Sequence, residues 1–125
     1  MIRLINRRLI IPRGDSGSFV LPLIAPVDAE YDEAYFSVLD TLTQEVVIEK
    51  QCSITKDGLF VDIMPEDTNV PAGRYYWDVK IYHSPQHDEN GKIVSSEQVD
   101  SYYAAYKLPY CVIKEVCKNA LSRSS

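Results

Sequence analysis

Residues 65–82, PEDTNVPAGRYYWDVKIY, are the stretch on which the fold is read. Pro65, Pro71 and Gly73 make its first half turn-forming. Its second half alternates: Tyr75, Trp77, Val79 and Ile81 share one face, and Tyr76, Asp78, Lys80 and Tyr82 share the other. A period of two predicts a β-strand, over 73–83, with one face in a core. Gly73, Tyr75 and Trp77 are therefore the expected corner and core residues, with the Tyr75 hydroxyl bonded to backbone in the corner before it. Pro65 suits a first helical position and Glu66 and Asp67 a helix N-terminus, which predicts one short helical turn over 65–69.

The same alternation recurs on either side of this stretch. Segment 2–11 is apolar and basic and ends at Pro12, and 18–24 reads as a second strand. Residues 13–17, RGDSG, read as a tight turn, because Gly14 and Gly17 are expected to supply left-handed dihedrals and Asp15 and Ser16 favour local side-chain bonds. Segments 34–40 and 44–50 read as a hairpin, and Lys56-Asp57-Gly58 turns the chain into a strand over 59–64. Residues 84–92 read as a polar loop with Asn90-Gly91 as its turn. A weak strand is expected over 93–99, a tyrosine-rich strand over 101–108 and a last strand over 110–117. Eight or nine strands with turn signals every 8–12 residues imply an all-β antiparallel sandwich. Its expected core is Phe19, Leu21, Phe36, Val38, Val46, Ile48, Leu59, Val61, Ile63, Tyr75, Trp77, Val79 and Ile81.

A chain of 125 residues reads as one domain, here 1–117, followed by a polar tail over 118–125. At this size a core needs neither disulfide nor metal. A net charge of −5 disfavours a phosphate-backbone partner, so no nucleic acid is expected. The arginines at Arg3, Arg7, Arg8 and Arg13 read as a solvated face or a subunit contact. No apolar run is long enough to cross a bilayer, so no membrane partner is expected either. Residues 1–11 interleave arginines with apolar side chains and show no cleavage site, which reads as synthesis in the cytoplasm. Three cysteines, Cys52, Cys111 and Cys117, close no disulfide set and read as free thiols.

Candidate chemistry is sparse. Arg13-Gly14-Asp15 is an integrin-type tripeptide, but without a sign of secretion it reads as a turn between strands. His83 and His87 are four apart, and Pro85 between them forbids the helix that would turn both toward a metal. They read instead as part of a solvated loop. No G-x-S-x-G context surrounds a serine and no glycine cluster could cradle a phosphate, so no catalytic residue and no cofactor are expected. Nine tyrosines leave one alternative open, a carbohydrate platform using Tyr76, Tyr82 and Tyr103 off the core face.

Taken together, the motifs carry a resemblance. A tyrosine after a Pro-Ala-Gly corner resembles the tyrosine corner of immunoglobulin-like sandwiches. A basic first strand, then P-R-G-D-S-G-S-F, D-G-L-F-V-D-I-M-P-E-D-T and P-A-G-R-Y-Y-W-D-V-K-I, resembles small Ig-like proteins of bacteriophage and prophage tails, in particular the N-terminal domain of phage baseplate upper proteins. That family's G-D-(S/T) turn falls on Gly14, Asp15 and Ser16, and its G-x-Y-x-(F/Y/W)-D-(V/I) strand on Gly73, Tyr75, Trp77, Asp78 and Val79. The match covers most of residues 7–83 and weakens over 84–99. It implies an Ig-like sandwich and a non-enzymatic structural component of a virion tail. Its partners would be other tail proteins or copies of itself. Arg3, Leu4, Arg7, Arg8 and Leu9 form the expected assembly strand, with an equal claim that their apolar side chains fill the chain's own core.

Overall fold

The computed structural model describes residues 2–23, 26–101 and 108–115. The expected strand over 101–108, Tyr103, Cys117 and the tail over 118–125 lie wholly or mainly outside the described residues. The architecture is all-β, with strands β1 (Arg3–Ile5), β2 (Arg8–Pro12), β3 (Gly17–Leu21), β4 (Glu33–Asp40), β5 (Val46–Thr55), β6 (Gly58–Ile63), β7 (Gly73–His83), β8 (Gln86–His87), β9 (Ile93–Ser95), β10 (Gln98–Ser101) and β11 (Tyr110–Lys114). A 3-10 turn, Pro65–Thr68, stands where the short helical turn was expected.

One curled sheet runs in the order β1-β2-β11-β7-β4-β5-β6-β3, and β8 and β9 form a separate two-stranded ribbon. β7 is its centre. It pairs with β4 along one edge, while β11 and β10 share the other edge end to end, opposite Gly73–Tyr76 and Lys80–His83 respectively. β5 passes from one layer to the next: Val46 to Cys52 pair with β4, and Ser53 to Thr55 pair with β6. The far ends then approach each other, since the Ile2 side chain lies 3.5 Å from where a Cβ on Gly17 would stand. The result is sandwich-like. Phe19 of β3 meets Phe36 of β4 edge to face at 5.5 Å, and Phe36 meets Trp77 of β7 at 6.0 Å.

The alternation along β7 holds as read: Tyr75, Trp77, Val79 and Ile81 are buried. Leu21, Phe36, Val38, Ile48, Leu59, Val61 and Ile63 join them, and Phe19 is half-buried against them. Val46 is 51% exposed, because it sits at the start of β5 beyond a register shift at Val38/Leu39, where the sheet no longer covers it. Leu9, Ile11, Ala34, Cys52, Cys111 and Ile113 complete the core. Gly58 is required where it stands, with φ +141°, since a Cβ there would come within 2.3 Å of the Leu21 carbonyl oxygen.

Two expectations need correction. The sheet is mixed rather than purely antiparallel, because β11 inserts between β7 and β2 and runs parallel to β2, Cys111 opposite Leu9. Alternation along a strand carries no record of its partner's direction. Segment 2–11 is not one strand but a hairpin, with Arg3 opposite Ile10 and Leu4 opposite Leu9. Asn6 makes the turn at φ +56°, a conformation asparagine tolerates better than most residues.

Candidate functional site

The two motifs behind the resemblance lie at one end of the sandwich. The turn after β2 is closed by the Asp15 N–H donating to the Pro12 carbonyl at 3.1 Å. Of its two glycines only Gly14 proves left-handed, since Gly17 begins a strand. Gly14, at φ +77°, donates its N–H to Thr68 Oγ1 at 2.7 Å. Thr68 is fully buried, and its hydroxyl is also within reach of the Pro65 and Asp15 carbonyls, at 3.2 and 3.4 Å. Asp15 turns its carboxylate onto the Ser16 N–H at 2.9 Å. The Arg13 guanidinium is 3.1 Å from Glu115 and 3.4 Å from Asn69 Oδ1. The tripeptide is thus fastened to the 3-10 turn by side chains from distant parts of the chain, unlike a mobile recognition tip. Just beyond, the Tyr75 hydroxyl donates to the Pro71 carbonyl at 2.6 Å, and burial raises its pKa, so it remains a donor.

The N-terminal hairpin is anchored from below. Trp77 Nε1–H donates to the Arg7 carbonyl at 2.9 Å, tying the hairpin turn to the central strand. Arg3, Leu4, Arg7 and Arg8 are exposed, whereas Leu9 is fully buried. Leu9 therefore belongs to the core and not to an assembly surface, because it faces inward on β2 opposite Cys111 of β11. Between the hairpin and β11 lies an open cavity of about 460 Å³, lined by Ile5, Arg7, Arg8, Ile10 and Tyr110 among others.

The outer face of the sheet carries the tyrosines in two pairs. Tyr76 stacks on Tyr110 at 5.5 Å, and the Arg74 guanidinium sits 4.8 Å above the Tyr110 ring. Tyr82 meets Tyr35 edge to face, at 5.8 Å and 77°. Tyr76 and Tyr82 thus belong to separate ring pairs. Tyr35 and Tyr82 are diagonal neighbours, since Glu33 is the residue opposite Tyr82. The signal for Tyr35 was present in its off-core phase along residues 34–40, but naming its partner required the register of β4 against β7.

His83 is not a loop side chain in water, whereas His87 is exposed in the ribbon after β7. Asp32 and Asp100 hold His83 between them, with Nδ1 3.1 Å from the first and Nε2 2.7 Å from the second. The Asp100 hydrogen bond raises the His83 pKa, against a smaller opposing effect of burial, and Asp32 adds to the rise. Burial works against ionisation of Asp32, but the Asp28 and Ser84 N–H groups and His83 outweigh it and lower its pKa. Gln98 and His83 lower that of Asp100. His87 Nε2 is 2.7 Å from Glu33, whose other oxygen accepts the Tyr35 hydroxyl at 2.7 Å. Among the described residues, no group of three or more His, Cys, Asp or Glu side chains is placed to hold a metal ion. Burial pushes the Cys52 thiol up to about 11 and the Cys111 thiol up to about 12, away from the thiolate a nucleophile needs.

No known protein family matches the chain, and neither a curated protein nor a solved structure gives a significant match. Among the described residues, no helix is long and apolar enough to cross a membrane.

Proposed function

We propose that this protein is a non-enzymatic structural component of a bacteriophage or prophage tail, with an immunoglobulin-like sandwich that works through protein–protein contacts. One observation carries the contact role: β1 ends the sheet, with β2 as its neighbour on one side and its other edge unpaired among the described residues. That edge presents Leu4 and Ile5, the latter 49% exposed, beside the exposed Arg3, Arg7 and Arg8. An unpaired strand edge offers N–H and C=O groups to a further strand. The three arginines suit an acidic neighbour, and a second copy of this chain, at net charge −5, is one. The tail assignment itself is supported by the resemblance of the Gly14-Asp15-Ser16 turn and the Gly73–Trp77 corner to baseplate upper proteins.

Two measurements test the reading. Mass spectrometry of particles purified after prophage induction of the source cell should find the protein in the tail fraction, and its absence from particles would refute the tail role. Light scattering should show a concentration-dependent, salt-sensitive assembly that Leu4→Glu abolishes while circular dichroism stays unchanged. A full-length chain that remains monomeric at high concentration, alone and with tail extract, would remove β1 as the contact.

A further inference from the structure

A cleft on the outer face has no part in the proposed assembly edge. Its volume is about 430 Å³, within the range of small-molecule sites. Tyr35 and Tyr82 line it from the sheet, Glu49 from β5, and Gly91, Lys92 and Ile93 from the ribbon that follows β7. The ribbon is held against the sheet by the His87 Nε2–Glu33 contact at 2.7 Å, and the Asn90-Gly91 turn is closed by Asp88, whose carboxylate accepts the Asn90 and Lys92 N–H groups at 2.9 Å. The wall is thus built from a different part of the chain than the floor, and both are braced.

The lining selects the ligand. Two half-buried phenol rings set at 77° offer apolar surface and a polar rim, which suits a ring with C–H groups on its faces and hydroxyls on its edge. Formal charge cancels across the cleft, with Glu49 on one side and Lys92 on the other. An anion would meet Glu49, and also Glu33 behind Tyr35; a cation would meet Lys92. A neutral polyol meets neither penalty, because its hydroxyls donate to a carboxylate and accept from an ammonium group. Tyr35 is already fixed as a donor to Glu33, and burial and that carboxylate both hold its hydroxyl protonated, so the ring is oriented before any ligand arrives.

We propose that the cleft between Tyr35, Tyr82, Glu49 and Lys92 binds a neutral saccharide. The proposal is independent of the tail assignment. It replaces the coplanar platform of Tyr76, Tyr82 and Tyr103 with a cleft that includes only one of those three.

The test is a glycan array probed with the labelled full chain, followed by ¹H–¹⁵N NMR titration of the free oligosaccharide that binds best. Neutral glycans should bind, with shifts concentrated at Tyr35, Tyr82, Lys92 and Ile93, and Tyr82→Ala should weaken binding by about tenfold or more. Should Tyr82→Ala fail to fold, Glu49→Gln and Lys92→Ala, both at exposed positions, carry the same test with weakened binding expected in each. The proposal is overturned by an absence of neutral glycan binding at millimolar sugar. It is equally overturned by selective binding of sialylated or sulfated glycans, by a preference for a quaternary ammonium probe such as choline, or by shifts that map elsewhere.

Discussion

Trp77 joins the core to the hairpin, so its replacement should be felt in two places. The side chain is 1% exposed, packs 6.0 Å from the Phe36 ring, and donates its Nε1–H to the Arg7 carbonyl. Trp77→Ala removes the largest buried side chain and should cost about 3–5 kcal/mol. That is a large share of the roughly 5–15 kcal/mol by which a domain of this kind is stable. Trp77→Phe keeps most of the packing but strips the donor from the Arg7 carbonyl, for which about 1–3 kcal/mol is the expected cost. Urea denaturation should be followed by far-UV circular dichroism, because Trp77 is the single tryptophan and its fluorescence disappears with it. Hydrogen exchange then separates the two roles. In Trp77→Phe, amides of β1 and β2 should lose protection well before those of β4 and β7. A Trp77→Ala loss below about 1 kcal/mol would contradict the burial argument. Uniform loss of protection in Trp77→Phe would contradict the anchoring of the hairpin.

Two other perturbations report on the polar ties. Thr68→Val leaves the Gly14 N–H without its 2.7 Å acceptor and should cost about 1–3 kcal/mol; the Gly14 amide should exchange faster, and an unchanged rate would show that water replaces the hydroxyl without loss. His83 tests the Asp32–His83–Asp100 bridge through pH: with its folded pKa raised, its contribution is complete below the unfolded value near 6.5 and is lost as pH rises through the folded pKa. The depressed pKa values of Asp32 and Asp100 act oppositely, their contribution being lost as pH falls through them, so the bridge stabilises most between the two ranges. His83→Gln should flatten the alkaline limb of the stability profile, and an NMR-measured His83 pKa at or below 6.5 would refute the bridge.

Periodicity accounts for what was legible in the sequence. The phase of β7 and the burial of Tyr75, Trp77, Val79 and Ile81 follow from a local rule, that successive side chains of a strand face opposite ways. The 3-10 turn at Pro65–Thr68 and the turn at Gly14 likewise depend on residues within a few positions, and so does the Tyr75 to Pro71 hydrogen bond. The break in segment 2–11 was local too, but Asn6 is a weaker signal than glycine, and the apolar residues on both sides of it concealed the hairpin.

Tertiary structure alone decided what depends on partners far apart in the chain. β11 lies beside residues about a hundred positions earlier, and its parallel pairing with β2 depends on chain direction in the assembled sheet. Register decided that Tyr35 meets Tyr82 and that Tyr76 meets Tyr110. It also drew Asp32 and Asp100 to His83, making a charged bridge around a histidine that read as part of a solvated loop. Which faces of the strands are apolar is written residue by residue. Which faces, edges and charges meet is set by closure of the whole sheet, since only the closed sheet brings distant side chains within contact range.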